Sequence, residues 1–129
     1  MIGKAVAADA EILAQSAIES KAYWAYTAEQ IESWKSDLTI LPETFNDWRG
    51  CKFMIDTEIV GFYLLNRLNS RTCVLEFLFV KPKFIGKNIG RQLIEHAILN
   101  CRTNSCEVLN VLSDPNAVAF YAKYGFKTD

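Results

Sequence analysis

Cys73-Val74-Leu75-Glu76-Phe77-Leu78-Phe79-Val80 passes without a break into Lys81-Pro82-Lys83-Phe84-Ile85-Gly86-Lys87-Asn88-Ile89-Gly90-Arg91. The first half is apolar on both faces except at Glu76, which reads as a central strand covered on both sides. The second half opens an amphipathic helix, because Ile89, Leu93, Ile94, Ala97, Ile98 and Cys101 trace one helical face. A glycine-containing loop between a buried strand and a helix exposes backbone N–H groups at the positive end of the helix dipole, where a phosphate group is well held. Lys87 and Arg91 add positive charge beside it. The glycine rhythm fits neither a Walker loop nor the dinucleotide fingerprint. On the loop alone, an ordinary Gly-rich helix start is an equal reading.

Outward from this stretch the pattern alternates in one series. Residues 2–6 read as a short strand, and Asp9 as the N-cap of a helix carrying Ile12, Leu13, Ala17 and Ile18. Thr27 and Gln30 form a capping-box pattern for a second helix, preceded by the aromatic loop Tyr23-Trp24-Ala25-Tyr26. Residues 51–56 and 59–66 read as two strands joined by a tight turn at Asp56-Thr57-Glu58. Residues 106–112 form another apolar strand. A last helix starts at Pro115, turns Ala117, Phe120, Tyr121 and Tyr124 inward and stops at Gly125. The expected order is strand, two helices, three strands, helix, strand, helix. That is an α/β chain with a mixed sheet, antiparallel hairpins and one right-handed parallel crossover.

Composition narrows the function classes. In 129 residues, half are hydrophobic and 22% charged, enough for one core and unlike a disordered tail. A formal net charge of -1 offers no summed positive field for nucleic acid or an anionic membrane. No apolar run is long enough to span a bilayer, and Asp9 and Glu11 interrupt the N-terminus where a signal peptide would be apolar. The four cysteines show no C-x-x-C pair, so they read as reduced thiols acting as small hydrophobes in a cytoplasmic protein, with no metal site expected. His96, the single histidine, reads as a solvated or packed helix residue.

Glu76-x-x-x-Val80-x-Pro82, the loop, and the ending Asp114-Pro115-Asn116-Ala117-x-x-Phe120-Tyr121-x-x-x-Gly125-Phe126 together resemble the GNAT superfamily of N-acetyltransferases. The resemblance covers about residues 2–126 and is strongest at 76–90 and 114–126. It implies a single acyl-CoA N-acyltransferase domain over residues 1–129, C-terminally shortened by a strand pair. The activity implied is transfer of acetyl from acetyl-CoA to a primary amine by direct attack. By the same resemblance, the strands carrying Val80 and Val111 splay apart, and the pantetheine arm pairs with the backbone of Leu78, Phe79 and Val80. The pyrophosphate rests on the N–H groups of Ile85, Gly86, Lys87, Asn88, Ile89, Gly90 and Arg91, with Asp114 and Asn116 close to the cofactor.

Two positions depart from the family loop: Ile85 stands where Arg or Gln is usual, and Asn88 where the first motif Gly is usual. Asn tolerates positive φ, so the loop shape is expected to survive. Glu76 matches the family's general base; a carboxylate among apolar neighbours has its charged form disfavoured, which suits that task. The competing reading is a Glu reaching solvent at a widened strand edge. Tyr121 matches the general acid for the departing thiolate, against plain packing beside Phe120 and Tyr124. Trp24 and Tyr26 fall where the family walls its acceptor site, against a hydrophobic staple. An open edge on the strand at 106–112 predicts a homodimer. The alternative function is a non-catalytic acyl-CoA-binding or protein-interaction module of GNAT-like fold.

Overall fold

One extra residue in the fourth strand organises the two cores. The computed structural model describes residues 1–23, 27–35, 38–111 and 117–126, leaving the side chains of residues 31 and 34 outside that description. Strands β1 (Ile2–Lys4), β2 (Trp48–Ile55), β3 (Glu58–Arg67), β4 (Thr72–Val80) and β5 (Val108–Val111) lie side by side in chain order. Neighbours are antiparallel except β4 and β5, which are parallel. Helices α1 (Ala10–Tyr23) and α2 (Ala28–Trp34) precede β2, α3 (Ile89–Thr103) makes the crossover, and α4 (Val118–Ala122) follows β5. The element order matches the sequence expectation, and the bounds shift. Trp48 begins β2, three residues before the strand expected at 51–56, and pairs with Asn66.

The sheet is covered on both faces. Phe62 and Leu64 of β3 join Leu13 and Ala17 of α1 in one core, while Tyr63 and Leu65 join Leu93, Ile94 and Ala97 of α3 in the other. On β4, Cys73 and Leu75 belong to the α3 core but Phe77 and Phe79 to the α1 core. Simple alternation would put all four on one face. The register explains the switch: Leu65 pairs with Leu75 and Leu64 with Phe77, so Glu76 is the additional residue of a β-bulge. Like a one-residue slip, the bulge exchanges the faces of everything after it.

Two local expectations resolve differently. Thr27 and Gln30 do form a capping box, with N–H to side-chain oxygen distances of 2.9 and 3.1 Å. Asp9 is not the N-cap of α1. It closes a 3-10 turn (Ala7–Asp9), where its carboxylate accepts from the Val6 N–H at 2.9 Å and Lys52 Nζ at 2.8 Å. His96 is the packed residue of the two options offered, its Nδ1 lying 2.7 Å from the Tyr63 hydroxyl on the α3 face. Burial raises the phenol pKa of Tyr63 well above the ordinary tyrosine range, and a hydrogen bond to Cys51 adds to it. Among the described residues no helix is long and apolar enough to cross a membrane.

Strands β2 and β3 approach closely at Gly50, where a Cβ would overlap the carbonyl oxygen of Tyr63. Gly50→Ala is therefore expected to destabilise the fold by about 1–3 kcal/mol, since neither backbone can yield without breaking pairing. Thermal unfolding checks this; an unchanged midpoint would contradict the close approach.

Candidate active site

Among the described residues, pairing between β4 and β5 runs from Thr72 opposite Val108 to Leu75 opposite Val111. Beyond that point β4 keeps β3 on one side, out to Val80 opposite Gly61, and among the described residues has no strand on the other. A cleft of about 740 Å³ opens along this side of β4, a volume typical of sites that take a cofactor-sized ligand. Glu76, Leu78, Phe79 and Val80 line it from β4. Ile85, Gly86, Asn88, Ile89, Gly90 and Arg91 line it from the loop and first turn of α3, and Phe120 and Tyr121 from α4. Ser20 and Lys21 contribute from α1.

The loop backbone leaves N–H donors free at the start of α3. A 3-10 turn (Pro82–Phe84) leads to Gly86 at φ +88° and Asn88 at φ +63°, so Asn88 takes the left-handed conformation expected of it. The first helical bond of α3 runs from the Gln92 N–H to the Asn88 carbonyl at 3.1 Å. The N–H groups of Ile89, Gly90 and Arg91 therefore have no carbonyl within the helix to take them. Ile85 differs from the expectation. Its N–H donates to the Pro82 carbonyl at 3.2 Å, so the available donors start after it. Lys87 does not line the cleft; it stands 5.6 Å from the ring centroid of Phe84, which does. Arg91 pairs with Glu95 at 3.0 Å on the surface.

The bulge places Glu76 in this cleft. Its carboxylate is half-buried and accepts a hydrogen bond from Asn66 Nδ2 at 3.0 Å. Tyr121 is buried, with 7% of its surface exposed, and its ring meets Phe120 and Phe126 edge-on at 5.2 and 5.5 Å. Among the described residues its hydroxyl has no hydrogen-bond partner. Burial pushes its pKa up to about 12, so at neutral pH it is a protonated donor facing the cleft.

Ser20 was missing from the sequence expectation. Its hydroxyl donates to the Val80 carbonyl at 2.8 Å, tying the end of β4 to α1. The signal was a serine continuing the buried stripe of Leu13 and Ala17. Trp24, Tyr26, Asp114 and Asn116 lie outside the described residues.

A mixed sheet of antiparallel neighbours with one parallel pair, joined by a crossover helix whose first turn lines a cleft beside β4, has the architecture of a GNAT-type acetyltransferase. Residues 23–129 match the profile of the acetyltransferase (GNAT) domain, and the chain belongs to that family. The uncharacterized N-acetyltransferase ycf52 of Pyropia yezoensis is 26% identical over 74 residues, which is 57% of this chain and 42% of that protein. The chain thus spans under half the length of this curated relative. The crystal structure of the PaiA N-acetyltransferase from Thermoplasma acidophilum in complex with coenzyme A is similar at 26% identity. That match has a TM-score of 0.75 and covers 100% of this chain and 90% of the other. A GCN5-related N-acetyltransferase from Rhodopseudomonas palustris shares the fold at TM-score 0.84 and 22% identity, covering 100% and 82%.

Proposed function

We propose that this chain transfers an acetyl group from acetyl-CoA to a primary amine by direct attack on the thioester. The observation that carries the reading is the placement of Glu76 and Tyr121 in one cleft with the donor-rich start of α3. The coenzyme A bound to the PaiA protein supports the choice of donor. In this reading the N–H groups after Ile85 receive the pyrophosphate, and the cleft side of β4 from Leu78 to Val80 receives the pantetheine. Glu76 removes a proton from the acceptor ammonium. The amine nitrogen then bonds to the thioester carbon while a backbone N–H near Phe79 or Val80 holds the oxyanion. As the C–S bond breaks, Tyr121 gives its proton to the leaving thiolate, and the second proton lost by the attacking nitrogen, relayed through water, restores the phenol.

Calorimetry with acetyl-CoA, beside a thiol-release assay over a panel of amines, tests the whole. Binding with turnover is expected. The exposed Ile85, where the family usually has a polar side chain, favours one other reading, a non-catalytic module; binding without turnover on any amine would establish it. Absence of binding overturns both.

Asn88→Ala is expected to weaken acetyl-CoA binding about 5–10-fold and Asn88→Gly to preserve it, because a left-handed residue other than Gly or Asn costs about 1–2 kcal/mol. Equal affinities for the two variants would remove the loop from the site. Free thiols support a cytoplasmic setting. The edge of β5, with β4 on one side and no further strand among the described residues, supports pairing with a second copy. Light scattering showing a monomer, with fast amide exchange at residues 108–111, would refute that pairing.

A further inference from the structure

Three of the four cysteines converge, although the sequence separates them. Cys73 stands on β4, Cys101 in the last turn of α3 and Cys106 after the turn that follows, and their Sγ atoms lie within 4.8 Å of one another. A built turn holds two of them side by side. The Cys106 N–H donates to the Cys101 carbonyl at 2.8 Å and the Ser105 N–H to the Arg102 carbonyl at 3.2 Å, with Ser105 at φ +62°. This is a Schellman motif, and Cys101 and Cys106 occupy its two positions whose side chains characteristically touch. The helix therefore ends in a rigid C-x-x-x-x-C chelate, and β4 supplies the third sulfur.

We propose that these three thiols bind one divalent thiophilic cation of the Zn²⁺ class. Zn–S bonds of about 2.3 Å in a tetrahedron place sulfurs about 3.8 Å apart, so the cluster has to close by no more than about 1 Å. Three thiolates on such an ion leave a net charge of -1. Arg67 supplies the compensating charge: its guanidinium donates to the carbonyl of Asn104, inside the turn between Cys101 and Cys106, at 2.8 Å. It also donates to the carbonyls of Asn69 and Ser70, which fix it in place. Cys101 and Cys106 line an open groove beside β5, giving the ion a way in and a water for its fourth position. On binding, three S–H protons pass to solvent, including the one Cys106 now directs at the Val108 carbonyl at 3.2 Å, and three S–metal bonds form.

The test uses the full chain, reduced with a phosphine and kept anaerobic. Titration with Co²⁺ is expected to give thiolate-to-cobalt charge-transfer absorption that Zn²⁺ bleaches, with one ion per chain by native mass spectrometry. Zn²⁺ is expected to protect the cluster thiols from alkylation and leave Cys51 reactive. Cys106→Ala, at a half-buried position that tolerates the change, is expected to lose more affinity than the roughly 10–100-fold typical of outer-shell changes, with circular dichroism unaltered. Cys51→Ala is expected to keep the parent affinity. Absence of the charge-transfer band overturns the site, as does equal alkylation with and without Zn²⁺. So does a Cys106→Ala variant that titrates like the parent. None of these readouts depends on acetyl transfer.

Discussion

Glu76→Gln is expected to lower kcat by about 10²–10³-fold, within the range general acid–base groups contribute, while leaving the affinity for acetyl-CoA nearly unchanged. The separation follows from position. The donors assigned to the cofactor are backbone groups of the α3 start, whereas Glu76 reaches the cleft from the bulge in β4. Gln keeps the volume and the ability to accept from Asn66 Nδ2, so the bulge and its hydrogen bond persist. What is lost is a site for the ammonium proton. Rates with the variant should recover as pH rises toward the acceptor's own pKa, because the free amine then needs no base. Steady-state kinetics across pH, with calorimetry on the same samples, reads both quantities. Unchanged turnover would remove Glu76 as the base and leave it as a solvated carboxylate at a widened edge.

The strand-and-helix order was legible because apolar periodicity switches cleanly from near-continuous runs to a helical stripe at Ile89. The anomaly at Glu76 was also legible, as one carboxylate in an apolar strand. Its geometric meaning was not. A bulge is a mismatch between two strands, and nothing in residues 72–80 alone shows that Leu64 and Leu65 will straddle it. The same limit hid the thiol cluster. Cys101 and Cys106 look unpaired at a spacing of five, and only the Schellman turn brings them together, with Cys73 added by the sheet. Ser20 was missed for a smaller reason, since a serine on a buried helical stripe reads as a small filler until a carbonyl is found opposite it. Asp9 was misassigned by one turn, because a 3-10 segment precedes α1 and moves the carboxylate to the far end of the capping pattern.

Tyr121→Phe is expected to lower kcat by about 10²-fold, and the choice of donor distinguishes chemistry from packing. Phe keeps the edge-on contacts to Phe120 and Phe126, and among the described residues the hydroxyl has no protein partner to abandon. The folded state should therefore be intact at neutral pH. If Tyr121 protonates the departing thiolate, an acetyl thioester with a more acidic thiol needs that proton less. The ratio of parent to variant rates should then shrink with such a donor; a constant ratio would assign the loss to packing. Burial also sets a pH signature. The folded pKa of Tyr121, about 12, lies above the ordinary value of 10.0. Its contribution to stability is thus fully present below about pH 10 and is lost as pH rises through the folded value. Urea midpoints should fall on going from about pH 9 to about pH 11 in the parent and fall less in Tyr121→Phe. Identical slopes would mean the phenol is not held in the buried, protonated state from which it is proposed to act.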